Sequence, residues 1–204
     1  MSKEPADTAT KILDVAERLV QARGFNGFSY ADVADELGIS KAALHYHFPG
    51  KAELGEALME RYAARFARAL IDVDAREPDA HAKLQAYARL YADVFQDERM
   101  CLCGMLAADY ATLPDPMRRS VVRFFDDNEV WLAEVLDEGR RAGTLRFTGS
   151  AREIARTIVS GLEGAMLVAR PYGDTARFQT IADLLIDGLA AETTAPARRG
   201  RSAR

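Results

Sequence analysis

Cysteine is nearly absent: the 204 residues hold two, Cys101 and Cys103. Two thiols so close make no disulfide framework, which agrees with a reducing, cytoplasmic setting. Bridging them within a helix would be strained. No apolar run approaches the roughly 20 residues of a membrane span, so no membrane partner is expected. The opening MSKEPADTAT is polar and lacks the apolar centre of a signal peptide. No stretch alternates apolar and polar residues for long enough to suggest a strand, and there is no internal repeat. The chain also lacks a phosphate-cradling glycine loop, a metal-spaced ligand set and a Ser, His and Asp arrangement with a local signature. Those absences exclude the common enzyme classes and leave no cofactor to expect.

What remains is helical periodicity throughout, and the fold class it predicts is all-α. The most informative stretch is SYADVADELGISKAALHYHFPGK, residues 29–51. Ser29 and Ser40 stand where helix N-caps are wanted, and Gly38 can take the left-handed conformation that ends one helix and re-aims the next. Val33, Ala34 and Leu37 give the first short helix an apolar side, which Ile39 and Leu44 can meet. Ala34 is small where two steeply crossing helices must touch. This is the grammar of a helix-turn-helix.

The second short helix, from Lys41 to about Phe48, is then the one that reads DNA. Lys41, Ala42, Ala43, His45, Tyr46 and His47 should face outward, with Leu44 and Phe48 inward. Small residues at its start let a helix sink into a major groove, where Lys, His and Tyr reach bases or phosphates. Lys51 opens the next helix, where free amides and the helix dipole favour a phosphate. Ser29, Tyr30 and Ser40, at the helix starts, complete the candidate interface with double-stranded DNA. His45 and His47 point about 200° apart on a helix and cannot share one metal ion. His47 also has a plainer role open to it, packing at the seam of the domain.

The run GFNGFSYADVADELGISKAALHYHFPGKAEL closely resembles the DNA-binding domain of TetR/AcrR-type transcriptional repressors. Gly24, Phe25, Ala34, Gly38, Ile39, Ser40, Leu44, His45, Tyr46, His47, Phe48 and Lys51 carry the resemblance. It implies an N-terminal helix-turn-helix domain over residues 1–52 and a helical ligand-binding and dimerisation domain over 53–192. It further implies a homodimer on a palindromic operator, released by a small-molecule or electrophile inducer. The rival from another class is a helical small-molecule binding or scaffold protein whose DNA module no longer works.

Net charge is −4, and since the last twelve residues hold four arginines and no acid, the remainder sums to −8. Basicity for DNA must therefore be local, at Lys41, Lys51, Arg18, Arg23 and the tail, residues 193–204. That tail is equally well read as a basic, disordered, solubilising end.

Helical stripes continue beyond residue 51. Leu54, Leu58, Tyr62, Phe66 and Leu70 recur at four-residue steps along a helix that could couple the two halves. Asp115 is a candidate cap for a long helix that runs to Gly143. Aromatic residues accumulate in the part after residue 53, and Tyr62, Phe66, Tyr87, Tyr91, Phe95, Met105, Phe124 and Trp131 make a candidate apolar pocket, with Cys101 beside it. The resemblance adds that some electrophile-sensing relatives carry a reactive cysteine where Cys101 falls; buried packing is the alternative. The last two helices are predicted over about 151–170 and 174–191. Gly161 and Gly164 each cost about 1 kcal/mol relative to Ala in a helix, which close approach of another helix would offset. By resemblance these helices form the dimer interface, with Ile158, Gly161, Leu162, Ala165, Ile181 and Leu185 as candidates.

Overall fold

A computed structural model of the chain describes residues 5–96 and 99–191; the expected basic tail lies outside the described residues. Among the described residues there are nine α-helices and no strand. Helix α1 (Pro5–Arg23) buries Ile12, Ala16, Leu19 and Val20, the predicted stripe. Helix α2 (Tyr30–Leu37) starts with a full capping box: the Asp32 amide donates to Ser29, and the Ser29 amide to the Asp32 carboxylate. Gly38 then turns left-handed at φ 62°, and Ser40 caps α3 (Lys41–His47) through the Ala43 amide at 3.1 Å. The helix-turn-helix is thus made by local hydrogen bonds that short-range sequence can specify.

Helix α4 (Lys51–Arg76) buries Leu54, Leu58, Tyr62 and Leu70, with Phe66 half-buried on the same stripe. It joins the two halves. Gly55 is the point of closest approach: a Cβ there would lie 2.5 Å from Met117 Sδ and 2.9 Å from the Phe25 ring. Then follow α5 (Ala80–Gln96), the short buried α6 (Leu102–Ala108) and a 3-10 turn at Tyr110–Thr112. Helix α7 (Asp115–Ala142) is capped at Pro114, so Asp115 is its first residue and not its cap. Helix α8 (Ala151–Ala169) opens on a Ser150–Glu153 capping box, and α9 (Thr175–Asp187) is capped by Asp174.

The last helix is shorter than its apolar pattern predicts. After Asp187 the chain turns to pair with the α7–α8 connection, where Leu145 and Ala190 form an isolated antiparallel bridge. The Arg146 amide donates to Leu189 O at 2.8 Å, and the Ala191 amide to Thr144 O at 3.0 Å. These bonds satisfy backbone groups that a continued helix would have paired internally.

Two polar joints fasten the helix-turn-helix to the bundle. In the first, Glu17 of α1 is 6% exposed and receives Arg61 at 2.8 Å and Arg65 at 2.5 Å, while Arg61 also pairs with Asp14 at 2.7 Å. In the second, the Phe25 and Asn26 amides donate to Asp109 Oδ2 at 2.7 and 3.3 Å, and Asn26 Nδ2 donates to Thr112 Oγ1 at 2.7 Å. Arg170, just after α8, donates to Ala22 O. The loop after α1 is therefore held by α6, by the turn beyond it and by the end of α8.

Candidate nucleic-acid interface

Helix α3 presents the predicted face. Lys41, Ala42, His45 and Tyr46 are exposed, Tyr46 at 79%, and Ala43 and His47 are half-buried. Leu44 is fully buried and anchors the helix from behind. His45 is oriented before any partner arrives: its Nδ1 lies 3.0 Å from Pro49 O and its ring 4.8 Å from that of Tyr30. Opposite a carbonyl, Nδ1 acts as the donor, and the contact fixes the orientation of the ring.

Several other candidates serve the domain itself. The Tyr30 hydroxyl donates to Phe48 O at 2.9 Å and so ties the start of α2 to the end of α3. Its pKa is pushed up to about 12 by burial and by the nearby Glu53 carboxylate. Ser29 and Ser40 spend their hydroxyls on caps. Lys51 turns inward, donating to Phe28 O and lying 4.8 Å and 4.2 Å from the Phe25 and Phe28 ring centres. Burial pulls its pKa down, against the opposing pull of Asp109 and Asp32. Where the sequence reading expected a free phosphate-seeking Lys51, the structure holds it as a half-buried cation–π partner. Lys51→Met should lower the melting temperature of the protein, as thermal denaturation would measure, while leaving affinity for duplex DNA unchanged where the protein is folded. A variant of normal stability with affinity weakened alike for all duplexes would restore the external phosphate role.

The supporting arginines are also engaged. Arg18 pairs with Glu36, and Arg23 lies 3.6 Å from Asp32, both acids being on α2. Local basicity is therefore much smaller than a count of arginines suggests, and Lys41 is the exposed cation on the reading face.

In the regulatory half the structure gathers six of the nine pocket candidates. Tyr62, Phe66, Tyr87, Tyr91, Phe124 and Trp131 form one aromatic cluster, with Phe66 5.1 Å from Phe124 and Trp131 stacked 5.7 Å from Tyr87. The Tyr87 hydroxyl donates to Asn128 Oδ1 at 3.1 Å, and Trp131 Nε1 donates to Asp74 at 2.9 Å. Cys101 adjoins the cluster, its sulfur accepting from Tyr62 at 3.7 Å. Two candidates lie elsewhere. Phe95 packs 5.8 Å from Phe178, between α5 and α9. Met105 faces the other way, its sulfur 3.7 Å from Arg170. Period alone placed both with the others; the direction of α5 and α6 separates them.

Both cysteines are buried. Hydrogen bonds to Cys101 from Cys103, and also from Glu163, the Gly104 amide and Tyr62, draw its pKa down to about 6 against the opposing effect of burial. Burial pushes Cys103 and Glu163 well up. The depression at Cys101 comes from hydrogen-bond donors and not from a neighbouring cation.

Residues 12–58 match the bacterial regulatory proteins of the tetR family, and residues 80–185 match the tetracyclin repressor-like C-terminal domain. The chain belongs to the TetR family. A TetR-family transcriptional regulator from Agrobacterium tumefaciens superposes with a TM-score of 0.89 at 32% identity, covering 92% of this chain and 100% of that one. The HTH-type transcriptional regulator LmrA of Bacillus subtilis is 25% identical over 167 residues, 80% of this chain and 86% of that protein. The nucleoid occlusion factor SlmA of Marinobacter nauticus is 28% identical over 166 residues, 80% of this chain and 84% of that protein. This TetR-family chain is a helix-turn-helix transcriptional regulator and not an enzyme.

For this family member the candidate dimer residues divide. Ile158, Leu162 and Ala165 are buried within the subunit. Gly161 faces α9 of its own chain, where a Cβ would stand 2.8 Å from Leu185 Cδ2. In the single chain these four and the half-buried Leu185 pack within the subunit, whereas the sequence reading has them meet a second one. Ile181 stays 37% exposed, beside Leu167 at 61%, Val168 at 54%, Tyr172 at 63% and Leu184 at 72%. Gly164 looks onto open space. The apolar face without a partner is therefore one strip round from the predicted one.

Sequence reasoning missed Glu17, Arg61, Arg65, Asp109, Glu163 and Arg170. Only Glu163 carried a usable signal, a lone acid in the otherwise apolar run GLEGAMLVA.

Proposed function

We propose that this chain is a ligand-responsive repressor that binds a palindromic operator as a homodimer and is released by a small-molecule inducer. The observation that carries this reading is the intact, outward-facing α3, with its caps made and His45 held in one orientation. Residues 1–52 serve as the DNA module, and 53–192 hold the inducer and the second subunit. The exposed apolar strip on α8 and α9 supports a two-fold dimer, whose symmetry calls for an inverted-repeat site. Inducer binding in the aromatic cluster would act through α4, which carries Tyr62 and Phe66 and begins at the edge of the DNA module. The rival without DNA function leaves the capped α3 and its exposed face without a purpose.

Selection of bound sequences from random duplex DNA tests the reading, and enrichment of no inverted repeat would reject it. Within a selected site, Lys41→Ala or His45→Ala should relax base preference, each by about 1–3 kcal/mol for a good contact. Tyr46→Ala should weaken all sequences alike. With few free cations on the face, the salt slope should be shallow, about −4 or less steep for about four phosphates per dimer. A slope as steep as about −8 would mean that cations outside this face take part.

A further inference from the structure

We infer that the inducer is an apolar organic cation, an ammonium or amidinium on a hydrocarbon body, received by the aromatic cluster with Glu163 as its counter-ion. This rests on the ligand-responsive reading above and names the ligand class for it. Glu163 projects from α8 into the space beside α6 that Gly104 leaves open, since a Cβ on Gly104 would collide with Glu163 Oε2. Its Oε1 is enclosed and has no hydrogen-bond partner. The Cys101 thiol is the one hydrogen-bonding neighbour felt by the carboxyl. An enclosed carboxyl oxygen without a donor is costly, and a cation is the ligand chemistry that relieves it.

The surroundings fit the same chemistry. The titratable groups facing this carboxyl are acids: Tyr62 from α4, Tyr87 and Tyr91 from α5, and Cys101 and Cys103 at the start of α6. Two arginines stand near without answering it. Arg65 lies over Tyr62 but is bonded to Glu17, and Arg170 is spent on Ala22 O and Met105. Around these acids stand the rings of Phe66, Phe124 and Trp131, whose faces attract a cation and whose edges accept a hydrocarbon. A cleft of about 400 Å³ between α4 and α7 is lined by Met59 and by Phe124, a member of the cluster. Its rim carries Glu56, Glu60 and Asp127 against one arginine, Arg123, so it draws in positive charge.

Burial pushes the Glu163 carboxyl well above the ordinary carboxylate range. Pairing with a cation requires the carboxylate, so, over the range where the carboxyl holds its proton, affinity for the cation rises with pH.

Benzyltrimethylammonium and its neutral isostere neopentylbenzene, read by Trp131 fluorescence and by calorimetry without DNA, test the inference. The cation should bind at least about tenfold more tightly than the isostere. Its affinity should rise with pH. Glu163→Gln should weaken the cation at least about tenfold and leave the isostere unchanged, while Cys101→Ser, which removes the neighbouring thiol whose pKa is drawn down to about 6, should keep the rise with pH. Equal binding of cation and isostere, cation affinity unaltered in Glu163→Gln, or no response to the cation at millimolar concentration would each overturn it. If Glu163→Gln melts below wild type, the comparison of cation with isostere on wild type decides alone. Because these measurements need no DNA, failure to find an operator would sink the repressor reading without touching this one.

Discussion

Leu167→Glu combined with Leu184→Glu should give a folded monomer that has lost operator binding. Both side chains are mostly in solvent within the single subunit, 61% and 72% exposed, so the substitutions leave its core untouched. In the proposed dimer each would place a carboxylate in an apolar seam, close to its symmetry mate, where it can be neither hydrated nor paired. Far-UV circular dichroism should be unchanged, while light scattering should report half the wild-type mass. The consequence for DNA is large because two half-sites bound by one dimer share a single association cost. Loss of that linkage should reduce apparent operator affinity by about 10² to 10⁴. A double variant that remains a dimer of wild-type affinity would move the interface to another face.

The second large effect is expected at Glu17→Gln. Its side chain is 7% exposed and holds Arg61, itself 23% exposed, together with Arg65. Both arginines belong to α4, so this carboxylate is the electrostatic fastening between the DNA module and the coupling helix. Replacing it with the neutral amide keeps the volume but leaves two guanidinium groups short of a charge partner. Asp14 still serves Arg61 from a more exposed position, at 62%. Glu17 is buried but Arg65 is 49% exposed, so solvent screens part of the loss. A cost of about 2 kcal/mol for a chain of this size lowers the melting temperature by roughly 4–8 °C. Operator affinity should fall as well, since α1 would no longer fix the angle between α3 and α4. A melting temperature within about 2 °C of wild type would show that Asp14 and water replace the pair at little cost.

These two sites mark the boundary between local and tertiary information. The helix-turn-helix was legible in the sequence almost residue by residue. Ser29 with Asp32, the left-handed Gly38 and Ser40 with the Ala43 amide are bonds between groups at most a few residues apart. Such bonds depend on the chain's neighbourhood and hardly on its fold. The inward stripes of α1 and α4 were legible for a similar reason, because one apolar face per turn can have only one orientation toward a core.

The sequence by itself thus determined the all-helical class, the helix-turn-helix and the exposure of Lys41, Ala42, His45 and Tyr46, though not the half-burial of Ala43 and His47. Tertiary structure decided everything that depends on which of two surfaces meets which. Helix α8 is apolar on two faces, so period could not tell that Ile158, Leu162 and Ala165 turn inward while Leu167 and Val168 remain free. Arg18 and Arg23 looked available until α2 brought Glu36 and Asp32 beside them. Lys51 looked like a phosphate ligand until the Phe28 carbonyl and two aromatic rings enclosed it. Glu163 became visible only when α6 packed against α8 and closed over a carboxyl oxygen that sequence would leave in water. Periodicity states that a face is buried; only the packed helices supply the partner, and with it the charge, hydrogen bond or missing donor that chemistry depends on.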